Sequence, residues 1–71
     1  MKIVLKDPKT LQCVRMRKGY TQRALAERIG MSNVRISQLE KGKDRVVTVR
    51  TASALILELN CEWSDLFAFE E

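Results

Sequence analysis

Asn33, Val34, Ser37 and Gln38 recur at spacings that place them on one side of a helix turning about 100° per residue. Their chemistry suits the edge of a base pair. The amides of Asn and Gln present a donor beside an acceptor and pair bidentately with adenine in the major groove, while Ser bonds to any base and Val packs on the thymine methyl. No acid falls on that side. An ordinary solvated helix is the plainer reading, but it would be expected to mix Glu with Lys there.

Cations surround this group. Arg35 leans away from it toward a flanking backbone, where phosphate is the expected partner, and Lys41, Lys43 and Arg45 follow in sequence, placed to track the same strand unless they are plain solubilising charge. Gln22 opens the preceding helix, where its side chain and the free backbone N–H groups nearby suit a phosphate. Glu40 is the exception. It falls on the boundary between this side and the core, and a free carboxylate there would oppose DNA. Pairing with a base on the first helix removes the difficulty, and Arg15 is the expected partner.

The elements that must hold these side chains are legible from caps and stops. Met1–Lys6 is a short β-prone run, too brief to assign by periodicity. Asp7-Pro8 starts a first helix that runs to about Lys18, with Gly19 as its stop. Thr21 caps a second helix, Gln22 to Ile29, ended by Gly30, and Ser32 caps a third, Asn33 to Lys41, ended by Gly42. Lys43–Val47 reads as a basic loop. Thr48 opens a fourth helix to Leu59 with Asn60 as a left-handed stop, and a last turn covers Trp63–Ala68. The prediction is an all-α, five-helix domain over 1–71, with its core in 8–68 and a possible short N-terminal strand.

The second and third helices carry a further pattern. Counting from Gln22, Leu25, Ala26, Ile29, Gly30, Met31, Ile36 and Leu39 occupy the fourth, fifth, eighth, ninth, tenth, fifteenth and eighteenth places. Two helices crossing steeply through a tight turn need a small residue at the fifth, a residue tolerant of positive φ at the ninth, and apolar residues at the others. All are present, which predicts a helix-turn-helix over 22–41.

Composition narrows the partners. The 71 residues include 13 Lys and Arg and 9 Asp and Glu. Residues 1–50 hold every base and four acids, a net +9, whereas residues 51–71 hold five acids and no base. One part therefore attracts phosphate and the other repels it. Histidine is absent, and Cys13 and Cys61 lie 48 positions apart without metal-binding or redox spacing. The cysteines read as small buried residues. Catalysis, a metal and a cofactor are not expected. Neither is a membrane segment, since no apolar run approaches the ~20 residues needed, and the cytoplasm is the default location.

The stretch Leu11–Gly42 resembles the helix-turn-helix family of phage Cro and repressor proteins, the xenobiotic-response-element type, and Thr48–Phe67 resembles that family's fourth and fifth helices. The resemblance implies a compact five-helix fold whose third helix enters the major groove. It implies phosphate contacts at Gln22, Lys41 and Lys43, base readout at Asn33, Val34 and Gln38, and a buried pair of Arg15 with Glu40. It also implies a homodimer on an inverted repeat of double-stranded DNA. Three features depart from the family pattern: Val34 stands where a polar base reader is common, Asn60 where glycine is usual, and the leader MKIVLK lies outside it. That leader either supplies an edge strand for a second subunit or packs on its own domain. Leu57, at a position often polar in the family, favours a dimer through the fourth and fifth helices.

The leading function is a small transcriptional regulator, a repressor of a phage or other mobile element. The alternative is a protein-interaction module, the antitoxin of a toxin pair with DNA binding secondary. A helix-turn-helix used for protein contacts alone is disfavoured by the basic half and the acid-poor third helix.

Overall fold

A computed structural model describes residues 1–71 in full. The elements run β1 (Lys2–Leu5), α1 (Pro8–Arg17), α2 (Gln22–Ile29), α3 (Asn33–Glu40), β2 (Val46–Val47), α4 (Val49–Leu59), α5 (Trp63–Leu66) and β3 (Phe67–Glu70). Each of the first four helices begins where a side chain accepts a free N–H. Asp7 takes that of Lys9, Thr21 that of Ala24, Ser32 those of Val34 and Arg35, and Thr48 that of Thr51. The four stops, Gly19, Gly30, Gly42 and Asn60, are all left-handed. Gly30 closes α2 at φ 70°, and Asn60 closes α4 at φ 52° with its N–H on the Ile56 carbonyl.

The five helices surround one core of 13 buried apolar residues. Leu25 and Ala26 of α2 and Ile36 and Leu39 of α3 meet Leu11 of α1 and Ala52, Leu55 and Leu59 of α4 there. Each fully buried leucine contributes roughly 1.5–3 kcal/mol relative to an exposed one. A second set of contacts ties α2 to α4 at the surface. The Tyr20 hydroxyl donates to Glu58, and Arg28 Nε donates to the same carboxylate oxygen at 3.0 Å.

A small sheet joins the helices, in the order β2-β1-β3, both pairings antiparallel. It changes three of the expectations. The leader is the central strand, with Ile3 opposite Val47 and Phe69, so both of its edges are occupied within the chain and neither is open to a second subunit. The basic segment 43–47 ends in strand, because Val46 and Val47 find β1. The last helix stops at Leu66, two residues early. Phe67 turns extended at φ −125° and ψ 154° and pairs with Leu5, which buries both side chains against the core. The cysteines also differ from expectation: Cys13 is exposed on α1, Cys61 is half-buried beside the core, and both are free. Burial pushes the Cys61 thiol up from its ordinary value, which leaves less thiolate.

Candidate nucleic-acid interface

The cap at Ser32 starts α3 directly after the turn, so its first residues face outward while Ile36 and Leu39 anchor its inner side. A shallow concavity of about 330 Å³ opens along the outer side. Asn33, Val34, Ser37 and Gln38 line it together with Gln22, Lys41 and Lys43. Residues from the start of α2, the length of α3 and the segment after it thus converge on one surface without a carboxylate in its lining. Val34 is 63% exposed there, an isopropyl group held in solvent at the centre of polar neighbours.

Beneath this surface lies a charged network. Arg15 Nε donates to Glu40 Oε2 at 2.6 Å and Nη2 to Oε1 at 3.1 Å, a two-pronged pair, while Nη1 donates to the Tyr20 carbonyl at 2.7 Å. Gln22 joins them, its Nε2 donating to Glu40 Oε1 at 3.0 Å. The carboxylate thereby accepts three N–H groups and is turned away from the concavity. Its bond to Gln22 also sets the amide plane of a residue that lines the concavity. The side chains of Arg15 and Glu40 are 9% and 3% exposed, and no buried side-chain nitrogen or oxygen lacks a partner.

Two of the sequence-predicted cations lie outside the concavity. Arg45 is exposed on the segment before β2. Arg35 folds back, Nη1 donating to Asp44 Oδ2 at 3.2 Å and Nη2 to the Val46 carbonyl at 2.9 Å. The role of Asp44 as the partner of Arg35 emerges only from the fold. An acid set between Lys43 and Arg45 in a phosphate-facing stretch signals the need for a partner, as Glu40 does, but does not say which. The bond from Gln22 to Glu40 likewise emerges only there, because nothing local ties residues 18 positions apart. No cluster of three or more His, Cys, Asp or Glu is arranged to hold a metal ion, and no helix is long and apolar enough to cross a membrane.

Similarity to known proteins agrees with this geometry. The biofilm master regulator SinR, solved in complex with DNA, superposes at a TM-score of 0.77 with 19% identity, over 82% of this chain and 95% of that one. The restriction-modification controller protein C.AhdI from Aeromonas hydrophila gives 0.73 with 26% identity, over 82% and 86%. The transcriptional regulator VanUg gives 0.69 with 21% identity, over 100% and 92%. No curated protein matches the sequence. The helix-turn-helix family model matches residues 14–66, from the middle of α1 to the end of α5. That span takes in both crossing helices, the pair beneath them and the whole outer side of α3, and it makes the chain a member of the Cro/C1-type helix-turn-helix family of DNA-binding transcription regulators.

Proposed function

We propose that the protein binds double-stranded DNA sequence-specifically and acts in the cytoplasm as a small Cro-like repressor of a phage or mobile element. In this reading α3 enters the major groove, with Asn33, Val34, Ser37 and Gln38 at base edges and Gln22, Lys41, Lys43 and Arg45 along phosphates. The carrying observation is the concavity itself: amides, a hydroxyl and one small apolar group flanked by lysines, with the Glu40 carboxylate tied down beneath it. Similar solved structures, one of a regulator in complex with DNA and one of a restriction-modification controller protein, support it. One helix of this length reads only a few base pairs, so a homodimer on an inverted repeat supplies the rest of the specificity. Leu57, 80% exposed on α4, is the side chain assigned to that dimer contact.

Selection from a random duplex pool near 0.15 M salt tests the proposal. Enrichment of an inverted repeat with half-sites about one helical turn apart, ~34–36 Å, is the expected result. Recovery of no preferred sequence would remove the regulator reading. A second reading, the antitoxin of a toxin pair, draws on the apolar groups exposed elsewhere, Leu57 and Phe69, as a partner surface. A small toxin gene beside this one would favour it.

A further inference from the structure

Residues 31–50 contain two acids, Glu40 and Asp44, and each is held by an arginine. The second pair closes a knot. Arg35 reaches both Asp44 and the Val46 carbonyl, and Asp44 Oδ1 accepts the Val46 N–H at 3.3 Å. On its other side the same segment is anchored to the sheet, with the Leu5 N–H on the Arg45 carbonyl at 2.8 Å and Val46 opposite Val4. The stretch that carries Lys43 and Arg45 is therefore clamped between α3 and β1.

We propose that Arg35 is a positioning residue that sets Lys43 and Arg45 for the DNA backbone, and is not itself a phosphate contact. This rests on the reading of α3 as the DNA-entering helix. Both terminal nitrogens of the guanidinium are already engaged, and the Arg35–Asp44 pair carries no net charge. Counterion release, which produces the salt dependence of DNA binding, follows phosphates met by uncompensated cations. A neutral pair adds little to it. What the pair adds is order, since side chains on a segment already held in place lose less freedom when they meet phosphate. It also cancels the carboxylate that would otherwise stand between two phosphate-facing cations.

The test measures affinity for the selected duplex across about 0.05–0.2 M salt, using the wild type, the charge-neutral double variant Arg35→Met with Asp44→Asn, and Lys43→Ala. It also follows hydrogen exchange at the Val46 amide without DNA. The double variant should bind roughly tenfold more weakly, the cost of ordering one or two long side chains, with the wild-type salt slope and faster Val46 exchange. Lys43→Ala should lower the slope by ~0.9. A similar fall in slope for the double variant, with Val46 exchange unchanged, would overturn the proposal. Asp44→Ala, which leaves α3 untouched, should also speed Val46 exchange, and failure to do so would overturn it too. If the wild type binds no duplex, the DNA reading fails on its own, and the exchange data still decide whether Arg35 holds the segment.

Discussion

Two arginine–carboxylate pairs hold α3, one beneath it and one beside it, and their surroundings give them different work. Arg15–Glu40 is nearly sealed, with side-chain exposures of 9% and 3%, and every polar atom in it is satisfied. Arg35–Asp44 is open, at 28% and 57%. Removing one partner of a sealed pair strands a charge in low dielectric, whereas an exposed pair is worth ~0–1 kcal/mol because water replaces the lost partner. The pair beneath α3 therefore supports the fold and the pair beside it shapes a surface. The same chemistry serves stability in one region and presentation in the other.

The strongest challenge to that contrast is Glu40→Ala. It should destabilise the protein by about 3–5 kcal/mol in urea unfolding, because Arg15 keeps its charge and loses its main partner. A loss below about 1 kcal/mol would make the two pairs equivalent. The double variant Arg15→Met with Glu40→Leu sharpens the point. It should recover most of that stability, since a buried pair exchanged for apolar groups of similar size is often neutral, while Gln22 remains without its acceptor.

Above the sealed pair the expected effects concern binding, not folding. Gln38→Ala should cost ~1–3 kcal/mol of discrimination at one base pair, the worth of one bidentate contact, measured on duplexes differing only there. Uniform weakening on every sequence would place Gln38 on the backbone instead. Lys43→Ala should show that uniform weakening, together with the reduced salt slope.

The smallest effect is expected at the third pair, away from α3. Hydrogen bonds from Tyr20, first, and from Arg28 hold the Glu58 carboxyl below its ordinary range. Its contribution to stability is present above the ordinary glutamate value of about 4.3 and is lost as the pH falls through the lowered folded value. Glu58→Gln should flatten the acid limb of stability against pH in that window. An unchanged limb would mean that the bonds do no work in solution.

Much of this protein was determined by its sequence alone, and the reason is local. Asp7, Thr21, Ser32 and Thr48 cap helices through N–H groups two or three residues away, and Gly30 and Asn60 stop them through their own φ. The side of α3 that carries Asn33, Val34, Ser37 and Gln38 follows from helical phase, as does the boundary position of Glu40. What only the tertiary structure decided depends on partners far along the chain. Met1–Lys6 could not be called a central strand without knowing that Val46–Val47 and Phe67–Glu70 arrive on either side of it. Phe67 leaves the last helix because Leu5 and the core are there to receive it. Arg35 has a helical phase that carries it to the flank of α3, yet Asp44 and the Val46 carbonyl lie within reach of its long side chain, and they determine where its charge is placed.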